Sequence, residues 1–248
     1  MRGIKGLLAI LAACTGMAAG LPVATAASVS ATAVTFMVHE RSVPPYESRL
    51  LVTPAFLRFD DGVGSTSFIL MDRQRHVIYS VDPERRNILV IHLRKVDIAP
   101  PFPLKLTEQD LGIMKDAPAI AGHAPRRYRL DANGESCEEL VVAPGLLTDV
   151  VAALREYRAI LAGDSATTFN RIPADMHDAC DMAKDTFAAD RYLRFGFPIQ
   201  ERRKDGYTRF LKDYDVDFQA DPQLFVLPDG YERLDIQKLR GESIPAGQ

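Results

Sequence analysis

Residues 33–93 constrain the fold most, because they form a succession of strand-length apolar runs with almost no chain between them. In the first run, Val34, Phe36 and Val38 occupy every second position, as in a strand with one buried face. Further runs of this kind occupy residues 48–52, 56–59, 67–71, 76–81 and 87–93. Because connections this short hold no crossover helix, the six runs predict an antiparallel meander.

The rest of the chain adds helical patterns to further strands. Residues 144–161 place their apolar side chains on one stripe, with Gly163 beyond the predicted helix end. Residues 173–188 predict a second helix, which opens with a proline. Thr107 followed by Asp110 resembles the capped start of a short helix. Strands are predicted at residues 127–130, 137–142, 192–202, 207–216 and 231–236.

These patterns predict a mainly β fold with helices, of the α+β class. No internal repeat or low-complexity linker divides the chain, so we expect one domain over residues 27–239. That domain carries a helical insert at residues 144–188. A tail at residues 240–248 is predicted to be disordered.

The first 26 residues have the composition of an export signal. Arg2 and Lys5 precede an apolar run, and Ala24-Thr25-Ala26 offers the small residues at which a signal peptidase cuts. Cleavage after Ala26 predicts a periplasmic protein. The sequence Leu11-Ala12-Ala13-Cys14 also fits a lipobox, in which Cys14 is acylated. The alternative is therefore an outer-membrane lipoprotein, and only in that case do we expect association with a membrane.

Composition and charge narrow the classes of partner. Apolar residues make up 47% of the chain and charged residues 25%, as in soluble globular proteins. The formal charge of −3 becomes −5 when the two cations Arg2 and Lys5 are cleaved off. A mildly acidic chain argues against nucleic acid as a partner and against a polybasic membrane patch. We expect a monomer.

Cys137 and Cys180 are the cysteines that remain after cleavage at Ala26. Two cysteines in an exported chain predict a disulfide. In the chain-entropy model, closing a loop of about 44 residues stabilises a fold by roughly 4 kcal/mol. The two residues lie too far apart in sequence for a redox motif, so we interpret the bond as structural.

The sequence contains no motif typical of catalysis or metal binding. Its five histidines are scattered singly and show no ligand spacing. Acidic clusters at residues 60–61 and 213–217 are explained by a turn and by a solvated strand edge. No GxSxG elbow, SxxK pair or phosphate-binding loop occurs. We therefore predict no catalytic residue, no metal and no cofactor.

Three stretches together resemble a known group of proteins: LRFDD at residues 57–61, FILMD to VIYSVDP at 68–83, and DPQLFVLPDGYERL at 221–234. They resemble uncharacterised bacterial periplasmic proteins with the fold of the LolA/LolB lipoprotein carriers. The resemblance implies a strongly curved antiparallel sheet, wrapped as an incomplete barrel and closed by helices. In such carriers the concave face is an apolar pocket for acyl chains. This chain departs from them by its two consecutive helices inside the predicted disulfide loop.

The leading functional hypothesis is a non-enzymatic, exported protein that binds an apolar small molecule, a lipid or a lipidated partner. The candidate lining residues are the presumed inward positions of the meander: Phe36, Val38, Leu51, Leu57, Phe59, Ile69, Ile78 and Leu89. The alternative is an envelope assembly protein that binds another protein through an exposed sheet edge. A hydrolase is the third hypothesis.

Overall fold

The computed structural model describes residues 27–169 and 171–242. The predicted signal peptide at residues 1–26, with the candidate lipidation residue Cys14, lies outside this range. So do residues 243–248 of the predicted tail.

Twelve strands form one sheet in the described residues. The strands are β1 Val29–Glu40, β2 Val43–Val52, β3 Phe56–Asp60, β4 Phe68–Asp72, β5 Val77–Asp82, β6 Asn87–His92, β7 Leu106–Ile113, β8 Arg126–Ala132, β9 Glu135–Ala143, β10 Phe197–Arg203, β11 Thr208–Ala220 and β12 Glu232–Asp235. Their order across the sheet is β12-β6-β5-β4-β3-β2-β1-β11-β10-β9-β8-β7. Neighbouring strands are antiparallel except β12 and β6, which are parallel. The predicted meander over β1 to β6 and the α+β class are confirmed.

One long helix, α1 Thr148–Phe169, packs on the sheet. Shorter helical pieces follow: a 3-10 turn Ala174–Met176, α2 Ala179–Met182, a π-helical turn Ala183–Phe187, 3-10 turns Arg191–Leu193 and Pro222–Phe225, and α3 Ile236–Glu242. In the described part of the chain, no helix combines the length and apolar character needed to cross a bilayer.

The side of the sheet that faces α1, called the inner face below, carries the main core. Side chains from β1 to β6 and from β10 pack there against α1 in one cluster. Phe36, Leu57 and Ile78 are fully buried in it, together with Leu154 and Ile160 of α1. Seven strands span far more width than one helix about 10 Å across, so α1 leaves part of the inner face uncovered.

The opposite side, the outer face, has a second core. Leu51 and Leu70 are buried there beneath Phe225, which belongs to the segment between β11 and β12. Arg58 is also buried on this side; its Nη1 donates to the Leu224 carbonyl at 2.7 Å and its Nε to Asp60 at 2.6 Å. The late DPQLF segment therefore covers the outer face of the meander.

One local prediction is wrong. Thr107 and Asp110 lie in strand β7, which pairs with β8 over its whole length, and no helix starts there. Pairing of the backbone with β8 outweighs the local capping preference of these two residues.

Pro44 and Pro45 lie within β2. They fall at a register shift opposite the end of β1, where the ladder needs no proline N–H.

The helical region also differs from its predicted bounds. Helix α1 continues through Gly163 instead of ending before it. At Gly163 the helix passes close to the chain after β6, and a Cβ there would lie 2.2 Å from the Arg94 carbonyl oxygen. The predicted helix at residues 173–188 is broken into three short helical pieces. Residues 240–242, predicted as disordered, belong to α3, and Arg240 forms an ion pair with Asp164 at 2.7 Å.

Candidate functional site

An open cleft of about 340 Å³ lies on the inner face, where strands β2 to β5 are not covered by α1. It is lined by Tyr46, Ser48, Phe59, Asp60, Asp61, Ser67, Phe68, Ile69, Ser80, Val81 and Tyr157. The first ten of these come from the meander and the last from α1. The cleft is therefore the gap between the helix and the end of the sheet that it leaves free.

Strand register explains why apolar and hydroxyl side chains share the cleft. Leu50, Phe59, Ile69 and Ser80 are successive cross-strand partners from β2 to β5, so they form one row on the inner face. Leu50, at one end of the row, is buried against α1. The remaining three line the cleft.

An aromatic pair forms one wall of the cleft. The rings of Phe59 and Tyr157 lie 4.8 Å apart between centroids, at 42° to each other. Burial raises the pKa of the Tyr157 hydroxyl to about 12, so this hydroxyl is neutral and can donate a hydrogen bond at physiological pH. An apolar group placed here would contact ring carbon atoms and meet a single neutral donor.

The remaining polar groups of the cleft are partly engaged elsewhere. The Tyr46 hydroxyl donates to Glu40 at 2.5 Å, and burial together with this bond raises its pKa. Asp60 accepts from Arg49 at 2.8 Å and from Arg58 at 2.6 Å. Burial opposes ionisation of Asp60, but these two guanidinium partners outweigh it and lower its pKa. Asp60 is therefore a satisfied ion-pair partner.

The loop between β3 and β4 borders the cleft and contains two glycines in the left-handed region. Gly62 and Gly64 both have positive φ, at 100° and 86°. Val63 between them is 99% exposed, which places an apolar side chain in solvent next to the cleft-lining residues Asp61 and Ser67.

The eight predicted lining residues separate into four groups, of which Leu51 alone forms one. Four of them are buried in the core against α1 and do not line the cleft: Phe36, Val38, Leu57 and Ile78. Phe59 and Ile69 line the cleft. Leu89 is half-buried on the inner face opposite Ser80.

Leu51 lies on the wrong side of the sheet for an inner-face pocket. Leu50 packs against α1, and the next residue of a strand points to the opposite face. Leu51 therefore belongs to the outer core beneath Phe225. The sequence at this point, Leu50-Leu51-Val52, is apolar on both faces, so alternation alone could not assign the direction.

Sequence reasoning missed nine of the eleven residues that line the cleft, among them Tyr46, Ser48, Ser80 and Tyr157. A signal existed for the first two, because Tyr46 and Ser48 precede Leu50 by even numbers of residues and so share its face. Tyr157 belongs to the apolar stripe predicted for residues 144–161. Its contact with Phe59 depends on how α1 packs on the sheet, which the stripe does not indicate.

Strands β9, β10 and β11 carry a cluster of charged side chains on the inner face. The meander has apolar side chains on the same face. Glu201 is 1% exposed and lies 2.8 Å from Nη2 of Arg209 and 2.5 Å from Nη2 of Arg203. Cross-strand register places Glu201 opposite Arg209 and Glu138 opposite Arg203. The Arg209 guanidinium also lies 4.6 Å above the ring of Phe36, at the border with the apolar core.

The two carboxyl groups of this cluster have pKa values shifted in opposite directions. Burial, the charge of Glu201 and a hydrogen bond to Glu201 raise the pKa of Glu138 well above 4.5. Burial opposes ionisation of Glu201, but Arg209 and Arg203 outweigh it and hold its pKa at about 2. Of the two carboxyl groups, Glu138 thus holds its proton more readily and Glu201 is the one that ionises first.

The predicted disulfide is confirmed. Cys137 in β9 and Cys180 in α2 are bonded, with their Cα atoms 5.3 Å apart. The bond fastens the short helices to the sheet and indicates an oxidising compartment. Of the described residues, one group of three metal-ligand types lies close together, Glu135, Asp178 and Cys180, and the bond to Cys137 engages its sulfur.

Comparisons with known proteins give only distant similarity. No protein-family model matches the chain, and no curated protein matches it significantly. Two solved structures of PNGF-II, in the C2 and P21 space groups, are similar over 86% of this chain, with 8% and 6% identity and TM-scores of 0.39 and 0.41. The match covers 32% and 33% of those chains, so this chain spans about a third of their length.

Proposed function

We propose that the protein is a non-enzymatic binding protein of the bacterial periplasm that holds an apolar ligand, either a lipid or the acyl group of a lipidated partner. The observation that carries the proposal is the open cleft between α1 and the meander, with Phe59, Ile69 and Tyr157 as its apolar walls. The antiparallel sheet with a helix on its inner face supports the proposed likeness to LolA/LolB-like carriers.

The cleft limits the size of the ligand. Helix α1 fills most of the inner face, so the ligand has about 340 Å³ at one end of the sheet. Sites for drug-sized molecules range from about 300 to 1,000 Å³. A cleft at the lower end of this range fits part of one acyl chain, with the remainder of the lipid outside.

Burial of apolar surface would supply most of the binding free energy. Each Å² of apolar surface removed from water contributes about 25 cal/mol. The ring faces of Phe59 and Tyr157 and the side chain of Ile69 offer that surface. The Ser80 hydroxyl, at the end of the row that contains Phe59 and Ile69, and the Ser48 hydroxyl, which also lines the cleft, are placed to bond the polar end of the ligand.

The chemistry of the cleft supports a non-enzymatic role. Three serines line it, but its lining residues include no histidine, lysine or cysteine that would activate a nucleophile. Its one buried carboxylate, Asp60, is held by two arginines. Turnover of esters, peptides or glycosides by the purified protein would contradict this part of the proposal.

Binding is tested with a fluorescent fatty-acid analogue and the Ile69→Arg variant. Ile69 lines the cleft, so a guanidinium there should weaken binding by more than about tenfold, since it replaces apolar contact with a charge. The matched control is Val226→Arg, because Val226 is 52% exposed and lies on the segment that covers the outer face. No binding by the parent protein, or equal binding by the Ile69→Arg variant, would refute the cleft as the ligand site.

The periplasmic location is tested by intact mass spectrometry of the exported protein. Cleavage after Ala26 leaves a chain that begins at Ala27, whereas acylation at Cys14 leaves a heavier, lipid-modified chain. The second result would change the location to a membrane-anchored lipoprotein. Any lipid retained in the cleft appears in the same spectrum.

A second candidate function is assembly of an envelope protein through strand addition. The specific observation is β7, which lies at the end of the sheet order with eight residues and one edge that no described strand pairs. Leu111 and Ile113 on it are 45% and 56% exposed. Lysine at both positions should abolish capture of a partner from envelope extracts, because charged side chains block edge pairing. Retained capture would direct the search to another surface.

A further inference from the structure

Two short sequences of the same kind meet at the disulfide. Glu135-Ser136-Cys137 lies at the start of β9, and Asp178-Ala179-Cys180 lies at the start of α2. In each, an acidic residue precedes the cysteine by two positions. The ligand atoms of Glu135, Asp178 and Cys180 lie within 4.8 Å of one another, and the Sγ of Cys137 is bonded to that of Cys180.

A cation already occupies the space between the two carboxylates. The Lys204 ammonium lies 2.6 Å from Oδ2 of Asp178 and 3.1 Å from Oε1 of Glu135. The other oxygen of Asp178 is engaged, because Oδ1 accepts from the backbone N–H groups of Cys180 and Asp181. These cap hydrogen bonds fix the Asp178 side chain with Oδ2 directed at the Lys204 ammonium. The two carboxylates therefore form a site suited to a positive charge.

We propose that this position binds one Zn²⁺ when the disulfide is reduced. The ligands are the thiolates of Cys137 and Cys180 and the carboxylates of Glu135 and Asp178, which make a four-coordinate sulfur and oxygen set of the type that zinc accepts. The Lys204 side chain leaves the carboxylates and moves into solvent. Lys204 lies in the turn between β10 and β11, and its backbone N–H donates a hydrogen bond to the Cys137 carbonyl oxygen. This backbone bond does not restrain the Lys204 ammonium. The inference is independent of the proposed function of the cleft.

The chemistry balances with a dithiol as the reductant. The dithiol transfers two electrons and two protons to the Cys137–Cys180 bond, which breaks into two thiols while the reductant closes its own disulfide. Zinc then replaces both thiol protons, which pass to water. The metal holds β9 and α2 together where the disulfide held them before. The loop between residues 137 and 180 therefore stays closed in both redox states.

The experiment measures zinc binding by the purified protein before and after reduction with a phosphine that is then removed. The reduced chain should bind one Zn²⁺ in native mass spectrometry and in competition with a coloured chelator, and the oxidised chain should bind none. Glu135→Gln and Asp178→Asn should each weaken binding by more than about tenfold, because even residues outside the ligand shell contribute that much at zinc sites. The matched control is Asp181→Asn, since Asp181 directs its carboxylate to Lys184 and should leave the affinity unchanged.

Circular dichroism separates loss of the site from loss of the fold. If the reduced chain stays folded, absence of bound zinc overturns the proposal. If reduction unfolds the chain, addition of Zn²⁺ alone should restore the native near-UV spectrum, and failure to restore it also overturns the proposal. A variant with Cys137→Ala and Cys180→Ala reports binding that does not use the thiols. Equal zinc affinity in this variant would show that the cysteines are not ligands.

Discussion

The two halves of the inner face, the meander and strands β9 to β11, bury side chains of different chemistry. On the meander, Leu57 and Ile78 are buried in an apolar cluster with α1. On β9 to β11, the buried Glu201 forms a polar cluster with the half-buried Glu138 and Arg209 on the same side of the same sheet. Phe36 lies at the border, 5.9 Å from the ring of Phe197 and beneath the Arg209 guanidinium.

The two halves differ in how strongly the stabilising contribution of their side chains depends on precise interatomic distances. Apolar burial is non-directional, so a side chain that shifts slightly keeps most of its contribution. A buried carboxylate needs its partners at hydrogen-bond distance, because removal of one partner leaves a desolvated charge. We expect the charged half to tolerate substitution less than the apolar half, and to respond to pH.

The largest expected effect follows from neutralising Glu201. Glu201→Gln leaves Arg203 and Arg209 without the carboxylate that both contact. Loss of one partner from a buried ion pair lowers the free energy of unfolding by about 3–5 kcal/mol. Denaturant unfolding at pH 7 measures this change.

Glu138→Gln is the matched control for that prediction. Glu138 is the carboxyl group with the raised pKa, and an amide of the same shape keeps its neutral form and can still donate to Glu201. We expect a change of less than about 1 kcal/mol at pH 7. Equal destabilisation by both substitutions would mean that the two carboxyl groups have the same protonation state.

A smaller effect is expected from truncation in the apolar half, and it should depend on distance from the cleft. Leu57→Ala removes a fully buried side chain and should lower the free energy of unfolding by about 2–5 kcal/mol. Leu89→Ala removes a half-buried side chain and should lower it by about 1 kcal/mol. The same denaturant unfolding compares them. If the two substitutions are equally destabilising, the inner face is packed tightly up to Leu89.

The apolar half could be predicted from sequence and the charged half could not. Alternation in β1 and short turns between strands specify the meander, because they act over neighbouring residues. The cleft residues could be predicted only in part. The positions of Phe59 and Ile69 follow from the two-residue period of the strands, whereas Tyr157 contacts Phe59 because of where α1 packs. Glu138 and Arg209 stand far apart in sequence, and only the strand order brings β9, β10 and β11 together.

The most gradual of the expected effects is the pH dependence of stability. Glu201 has a lowered pKa in the folded state, so its contribution is present above the unfolded value of about 4.5 and is lost as pH falls towards 2. Glu138 has a raised pKa, so its contribution is present below 4.5 and is lost as pH rises from 4.5 through its folded value. Each group changes the free energy of unfolding by at most about 1.4 kcal/mol per pH unit within its window.

Glu138→Gln separates these two contributions. The amide does not titrate, so the variant should lose the decline in stability above pH 4.5 and keep the decline below it. The free energy of unfolding from denaturant curves across the pH range gives both slopes for the parent and the variant. An unchanged slope above pH 4.5 in the Glu138→Gln variant would show that Glu138 ionises normally. In that case the cluster would carry two negative charges, and its two arginines would neutralise them.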